Sequence, residues 1–186
     1  MVERRVPFGD DPTKSRKGLY AIKDPFFAYW YRFVSSALDA VDNGAGGQVI
    51  RQLAFGDAFT TYVGRRFESI CMQWLMRMNA EGSRLPFLAT RFGKWWGADP
   101  RRREQTDIDV VLADPQTKRI LLGECTWRNS FNETEAVEAL LGREGLIPGY
   151  DDTRFMVFSK HPMSNATRDR YAGKVDFVTA EELYRR

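Results

Sequence analysis

Two acidic residues, Asp109 and Glu124, interrupt apolar segments that we predict to be adjacent strands of one hairpin. Burying a lone carboxylate in a sheet costs several kcal/mol unless it is paired or bound to a metal. Two carboxylates on neighbouring strands can share one cation. Mg²⁺ suits this arrangement, because it takes one or two carboxylates, a backbone carbonyl such as that of Cys125, and keeps its remaining waters. We therefore expect a Mg²⁺ or Mn²⁺ site in which a bound water could become a nucleophile.

A third acidic residue, Glu68, lies beside the apolar stripe of a long predicted helix. This helix should run from about residue 58 to residue 79, with Asp57 as its cap, because its apolar residues recur every three or four positions. We expect Glu68 to reach the edge of the carboxylate site from this helix. The alternative is a surface or ion-paired glutamate, since charged residues are seldom buried without a partner.

The predicted elements around these residues follow the order helix, strand, strand, strand, helix, strand. The turn sequence at 114–118 indicates that the second and third strands form a hairpin. Residues 85–96 are predicted to form a long strand or a strand pair, and further strands are predicted at 108–113, 119–127, 154–159 and 175–178. Helices are predicted at 58–79 and 132–143, with a further candidate at 165–171, and a terminal helix is capped by Thr179 with Glu182 at its capping-box position.

The first 56 residues differ in composition from the rest of the chain. Residues 1–18 contain prolines, glycines and scattered charges, which is typical of an extended lead-in or linker. Residues 20–33 are rich in aromatic side chains, and Asp24 and Pro25 begin a helix predicted to reach about residue 41, before a glycine-rich turn at 44–47. The aromatic run is interpreted as core or docking surface, with base stacking as the alternative. We divide the chain into a lead-in (1–18), a helical arm (19–56) and a main domain (57–186).

The bulk composition is that of a folded cytoplasmic protein. Hydrophobic residues make up 43% and charged residues 28% of the 186 residues, which excludes a disordered chain. No apolar run approaches the roughly 18 to 20 residues that span a bilayer, and the polar amino terminus lacks a signal-peptide core. Cys71 and Cys125 are expected to remain packed thiols in a reducing compartment.

Basic residues concentrate between residues 84 and 103, although the net charge of +3 does not by itself indicate nucleic-acid binding. This basic patch could track phosphates, and the alternative is a solvated loop flank. Its members, opposed in sequence by Asp99, are Arg84, Arg91, Lys94, Arg101, Arg102 and Arg103.

Other catalytic classes lack the residues they need. His161 is the single histidine and precedes Pro162, so neither a Ser-His-Asp nor a Cys-His arrangement is available. Two cysteines and one histidine, widely spaced, do not supply a zinc ligand set.

The order of Glu68, Asp109 and Glu124 along the predicted elements resembles the PD-(D/E)xK superfamily of nucleases. That resemblance implies an α/β, restriction-endonuclease-like core over residues 57–186, behind an aromatic-rich helical arm, and a metal-dependent nuclease that acts on DNA. From about Pro12 onward the chain also resembles a carboxy-terminal domain of unknown function that follows a AAA-type ATPase module and a winged helix. This second resemblance implies an ATPase partner in the same or another chain, and a homodimer is left open. The segments that carry it are 17–20, 22–26, 30–33, 93–97 and 123–125.

The residue two positions after Glu124 departs from the superfamily motif. The motif has a lysine there, which positions the attacking water and stabilises charge on the phosphate, whereas this chain has Thr126. Three cations could stand in for the lysine: Arg128, which shares the strand face of Glu124 if the strand stays regular, Lys160, and Lys94.

Two functions therefore stay open from the sequence. The first is a metal-dependent DNA phosphodiesterase, weakened by the loss of the motif lysine. The second is a non-catalytic module of nuclease fold that binds DNA or docks to an ATPase. Retention of both carboxylates favours the first, and Thr126 favours the second.

Overall fold

The computed structural model describes residues 2–54, 56–82 and 84–185. They form a mixed α/β structure that divides into two compact units: unit 1, Met1–Val6 and Asp11–Arg66, and unit 2, Pro7–Asp10 and Phe67–Arg186. The domain limits expected at residues 18 and 56 stay a prediction, since compactness alone does not define an independently folding domain. In the described parts of the chain, no helix combines the length and apolar composition needed to cross a membrane.

Unit 1 is a two-stranded sheet followed by short helices. β1 (Val2–Arg5) pairs antiparallel with β2 (Leu19–Ile22), so part of the predicted lead-in is a strand. Asp24 caps the first helix by accepting hydrogen bonds from the backbone N–H groups of Phe26 and Phe27, at 2.8 and 3.1 Å. The helical segments are α1 (Pro25–Tyr29), a π turn (Trp30–Val34), a 3₁₀ turn (Ser35–Ala37), α2 (Leu38–Asp42) and α3 (Gly46–Ala54).

The glycine-rich stretch after α2 is only partly a turn. Gly44 has a φ of +79°, as the residue that ends a helix often requires. Gly46 already begins α3, a helix that the sequence did not predict. Glycine has a low helix propensity, so the two glycines at the start of α3 made this helix hard to predict from the sequence.

Unit 2 contains a five-stranded sheet in the order β3-β4-β5-β6-β7. The first three strands are antiparallel and include the predicted hairpin, whereas β5, β6 and β7 are parallel. The parallel strands therefore end at one edge of the sheet. The strands are β3 (Arg91–Asp99), β4 (Glu104–Asp114), β5 (Arg119–Thr126), β6 (Asp152–Ser159) and β7 (Val175–Thr179).

Helices pack on both faces of this sheet. α4 (Asp57–Glu81) is the long predicted helix, and the division between the units falls within it, after Arg66. Cys71 and Leu75 of α4 pack with Val110 and Leu121 in one apolar cluster. A second cluster unites α5 (Glu133–Leu141) with alternate residues of the same strands, such as Val111 and Leu122. The chain closes with α6 (Asn165–Arg170) and a 3₁₀ turn (Glu182–Tyr184), at which Thr179 and Glu182 form the predicted capping box.

The first strand of the large sheet begins later than the predicted range of 85–96. The side chain of Asn79 holds the connection, because it donates to the carbonyl of Ala89 at 3.1 Å and accepts from the Ala89 N–H at 2.7 Å. Pro86 also lacks the N–H that a ladder needs. The segment before Arg91 therefore connects α4 to β3 instead of pairing.

The pairing of β3 with β4 contains an irregularity at the site. Gly93 pairs with Val111 and Trp95 pairs with Ile108, so that Lys94 faces two residues, Asp109 and Val110. Such a bulge re-aims side chains and is frequent beside functional sites. It brings Lys94 opposite Asp109.

Candidate functional site

Asp109 is the most buried carboxylate of the site, with a side chain 10% exposed. Its Oδ2 accepts a hydrogen bond from the backbone N–H of Cys125 on the next strand, at 2.9 Å. Its Oδ1 accepts from Lys94 Nζ at 2.7 Å. Both oxygens are therefore held in place, one by the β5 backbone and the other by a cation.

Lys94 joins three carboxylates. Its Nζ lies 2.7 Å from Asp109 Oδ1, 2.9 Å from Glu68 Oε2 and 3.0 Å from Asp107 Oδ2. Burial of the ammonium group opposes its charge, but attraction to Asp109 and Glu68 outweighs burial and raises the pKa of Lys94 well above its ordinary value. Lys94 is thus a fixed positive charge, not a base.

Glu68 reaches the site from α4, as the sequence predicts, through Lys94. Burial raises the pKa of the Glu68 carboxyl, repulsion from Asp109 raises it further, and Lys94 acts in the opposite direction. Glu68 is therefore both a surface-accessible and an ion-paired residue, with its side chain 25% exposed.

Glu124 lies on β5, one position beyond the last residue pair of the β4–β5 ladder, Val110 and Gly123. Its Oε2 accepts a hydrogen bond from Arg143 Nη1, in the turn after α5. Burial and repulsion from Asp109 raise the pKa of the Glu124 carboxyl to about 7, although Arg143 acts in the opposite direction. The ionised forms of Asp109 and Glu124 therefore oppose each other.

The site carries an excess of negative charge. Its four carboxylates are Glu68, Asp107, Asp109 and Glu124, and its two cations are Lys94 and Arg143. With all four carboxyls ionised, four negative and two positive charges give the site a formal charge of −2. Burial is the main reason that the pKa of Glu124 is high, and repulsion from Asp109 adds to it.

No group of three or more histidine, cysteine, aspartate or glutamate side chains has the arrangement of a metal site among the described residues. Asp109 and Glu124 offer two carboxylates, and Glu68 is linked to Asp109 through Lys94. Mg²⁺ needs only one or two carboxylates, since waters complete its coordination.

The three cations that could replace the motif lysine lie in different surroundings. Thr126 is the last residue of β5, so the strand alternation that pointed to Arg128 stops before it, and Arg128 is exposed. Lys160 Nζ donates to Asn129 Oδ1 at 2.5 Å and lies 5.4 Å from the centre of the Trp127 ring. Lys94 is the one of the three with a contact to Asp109.

Cys125 contributes its backbone to the site and directs its thiol elsewhere. The thiol packs near Cys71 within the apolar cluster on the α4 face. Burial is the main reason that the pKa of the Cys125 thiol lies well above its ordinary value. Both cysteines are free, and the high pKa of Cys125 makes a nucleophilic or metal-binding thiolate at that residue unfavourable.

The residues of the basic patch lie in different surroundings. Lys94 is engaged by carboxylates, and Arg91 lies 5.2 Å above the Phe8 ring. Arg101 donates to the carbonyl oxygens of Gly142 and Glu144, both at 2.8 Å. In the turn between β3 and β4, Arg102 and Arg103 are exposed, and Arg102 lies 3.8 Å from Glu104.

Sequence reasoning missed Arg143. Its signal was weak, since a basic residue just after a helix is usually explained by the negative end of the helix dipole. From the sequence, Lys94 is expected as a phosphate contact and as one of three possible substitutes for the motif lysine. Its position opposite Asp109 could not be predicted, because a strand bulge that turns a lysine toward an aspartate has no local sequence signature.

A family model described as archaeal and bacterial proteins of unknown function, DUF234, matches residues 30–137. An uncharacterised protein of Methanocaldococcus jannaschii is 28% identical over 153 residues, which make up 82% of this chain and 32% of the relative. The chain therefore spans about a third of that relative's length. The crystal structure of protein VC1899 from Vibrio cholerae covers 72% of this chain and 32% of its own, with 17% identity and a TM-score of 0.44.

Proposed function

This chain belongs to the DUF234 family of archaeal and bacterial proteins, and we propose that it is a metal-dependent phosphodiesterase of the PD-(D/E)xK type that cleaves DNA. The uncompensated negative charge around Asp109 and Glu124 carries the proposal. A sheet that buries carboxylates beyond the number of its cations is unfavourable unless a further cation binds. Asp107 is exposed, but the three less accessible carboxyls, Glu68, Asp109 and Glu124, still outnumber Lys94 and Arg143, and a divalent ion would offset this excess.

The residues fit such an ion. Asp109 and Glu124 would hold it, together with the Cys125 carbonyl, and all three supply the oxygen ligands that Mg²⁺ prefers. Glu124 Oε2 is used by Arg143, and no hydrogen bond to its Oε1 is present among the described residues. When bound, the ion would activate a water and stabilise charge on the phosphate.

We propose that Lys94 performs the task of the lysine that Thr126 replaces. Its ammonium stays charged, lies at the carboxylate pair and is held by Asp109 and Glu68. A fixed cation that faces a phosphate stabilises the charge that develops in the transition state. Lys94 would reach the site from β3 instead of β5, through the bulge opposite Asp109.

The proposed substrate is DNA, with Arg102 and Arg103 as phosphate contacts. Both are exposed in the turn that precedes β4, the strand of Asp109. Because the chain spans about a third of the M. jannaschii relative, we also propose that the activity belongs to a longer protein or assembly, such as one with the ATPase module that the resemblance implies.

Cleavage of supercoiled plasmid with Mg²⁺ or Mn²⁺ tests the proposal. The intact chain should cut, and Asp109→Ala should not. Lys94→Met should lower the rate by about 100-fold to 1,000-fold, the usual effect of removing one group that stabilises the transition state. Lys94→Met/Thr126→Lys should regain part of the rate, because the second change returns a lysine to the motif position. Cleavage by Asp109→Ala would contradict the proposed site.

A non-catalytic module is the second candidate, and one observation favours it. Lys94 and Arg143 already pair with Asp109 and Glu124, as expected of a structural ion-pair network. In that case no variant cuts DNA, including Thr126→Lys, and calorimetry with Mn²⁺ gives no heat that depends on Asp109. If the wild-type chain binds Mn²⁺ in a way that depends on Asp109, the ion pairs are not purely structural and this second candidate is contradicted.

A further inference from the structure

Arg101 joins the turn between β3 and β4 to the turn after α5 through two side-chain hydrogen bonds. The guanidinium of Arg101 donates one hydrogen bond to the carbonyl of Gly142 and one to the carbonyl of Glu144, both at 2.8 Å. These two carbonyls belong to the residues immediately before and after Arg143. The Arg101 side chain thus hydrogen-bonds to the backbone on both sides of Arg143, the residue that contacts Glu124.

Arg101 is itself held by hydrogen bonds to Asp99. The Asp99 carboxylate is buried, at 2% exposure, and its Oδ1 accepts from the Arg101 backbone N–H at 2.8 Å and from its Nε at 3.3 Å. A buried carboxylate needs such partners. We call these two residues the Asp99–Arg101 clamp.

Arg143 has little freedom beyond this clamp. Its side chain is 16% exposed, and its backbone N–H donates to the carbonyl of Leu140 at 3.0 Å. Its guanidinium reaches Glu124 Oε2. The contacts therefore run in one line from Asp99 through Arg101 and Arg143 to Glu124.

We propose that Arg143 is a positioning residue for Glu124, and that the Asp99–Arg101 clamp holds Arg143 in place for this task. By occupying Oε2, Arg143 fixes the rotamer of Glu124 and leaves Oε1 as the oxygen that would bind the cation. This role rests on the proposed function, because it presumes that Glu124 binds a metal. It assigns Arg101 to the support of the site and not to phosphate contact.

A simpler electrostatic account makes the opposite prediction. If Arg143 merely competes with a metal for Glu124, its removal strengthens metal binding, since a positive charge near the site disappears. If it positions Glu124, its removal weakens metal binding, as the loss of a group that orients a metal ligand typically does, by about 10-fold to 100-fold. The sign of the change separates the two.

The experiment measures Mn²⁺ affinity of the intact chain by electron paramagnetic resonance. Arg143→Met should weaken binding by about 10-fold or more, and Arg143→Lys should restore part of it, because one hydrogen bond joins Arg143 to Glu124. Arg101→Met should weaken binding in the same direction and by less. The matched control is Arg170→Met, which removes an arginine that also contacts α5, 3.6 Å from Glu138, and should not change the affinity. Tighter binding by Arg143→Met or Arg101→Met would overturn the proposal.

Nuclear magnetic resonance of the arginine side chains in metal-free protein provides the second measurement. The wild type should show slow rotation of the Arg143 guanidinium, and Arg101→Met should lose it while Arg170→Met keeps it. An Arg143 signal that is unchanged in Arg101→Met would overturn the clamp. If the wild type binds no Mn²⁺, the proposed function fails, whereas the clamp is still judged by this measurement.

Discussion

At the scale of single residues, the pKa of Glu124 depends on burial and on two neighbours, one negatively and one positively charged. Burial and Asp109 favour its protonated form, and Arg143 favours its ionised form, with the result that its pKa rises from 4.5 to about 7. A carboxyl with a raised pKa in the folded state binds its proton more tightly there than in the unfolded chain. It therefore contributes stability at low pH and loses that contribution as the pH increases.

The pH dependence of unfolding tests this difference. Without metal, the free energy of unfolding should fall between about pH 4.5 and pH 7, by at most roughly 1.4 kcal/mol per pH unit from this one group. Glu124→Gln should remove that part of the slope in urea unfolding measured at several pH values. Glu135→Gln, at an exposed position of α5, serves as the control and should keep the wild-type slope. A slope that is identical in wild type and Glu124→Gln would contradict the assignment.

The candidate carboxylates could be predicted from the sequence because an acid within an apolar strand is unusual and costly. That argument identified Asp109 and Glu124, and helical periodicity identified Glu68. The partners of these acids could not be predicted in the same way. Arg143 is 19 residues from Glu124 in the chain, and Arg101 is 41 residues from the carbonyl of Gly142. Such contacts depend on how the turns meet, which no local pattern encodes.

At the scale of elements, strong periodicity determined which predictions succeeded. α4, β4 and β5 were predicted within a few residues, because apolar stripes and a turn sequence mark them. β1 was missed because the segment Val2–Arg5 has no apolar alternation, and its pairing with β2 supplies the structure. Long-range pairing overrides weak local preference in such strands.

At Gly123 the β4–β5 ladder leaves no room for a side chain. A Cβ atom at this position would lie 2.3 Å from Val110 Cγ2 and 3.4 Å from the carbonyl oxygen of Met156. Val110 is fully buried, so it has no open space into which to move. The glycine next to Glu124 therefore lets the two carboxylate strands pack together.

Gly123→Ala should lower the free energy of unfolding by about 1 to 3 kcal/mol, the usual cost of overpacking a core. Urea denaturation of the metal-free chain measures it. In the double variant Gly123→Ala/Val110→Ala the two costs should not add, since the smaller side chain removes the clash. Gly64→Ala is the control within α4, where an added Cβ would meet no described atom within 4 Å, and should stabilise by about 0.5 to 1 kcal/mol. If Gly123→Ala and Gly64→Ala changed the free energy of unfolding equally, Gly123 would not be needed for the close packing of β4 and β5.

At the scale of the whole molecule, the local charges matter more than the net charge. The net charge is +3, yet the carboxylate site is negative, and part of the basic patch is consumed by internal contacts of Lys94 and Arg101. Arg102 and Arg103 are left exposed at the start of β4. Composition could not reveal this division, because it counts every arginine alike.

Charge reversal at these two residues tests whether the remaining patch contacts DNA. Arg102→Glu/Arg103→Glu should weaken binding of a short duplex and make the slope of log affinity against log salt less steep by about 2, since each phosphate contact contributes roughly 0.9. Fluorescence anisotropy over a salt series measures both quantities.

The matched control changes the same charge at the other end of the sheet. Lys118 lies in the turn after β4, about 35 Å from Arg103 at roughly 3.4 Å per strand residue, and Lys174 precedes β7 at that same end. Lys118→Glu/Lys174→Glu alters the net charge as much as the first variant does. If DNA binding depends on position, the control should leave the salt slope unchanged and lower the affinity only slightly. Equal losses in the two double variants would mean that DNA responds to the net charge alone, and an unchanged affinity in the first variant would reduce Arg102 and Arg103 to a solvated turn.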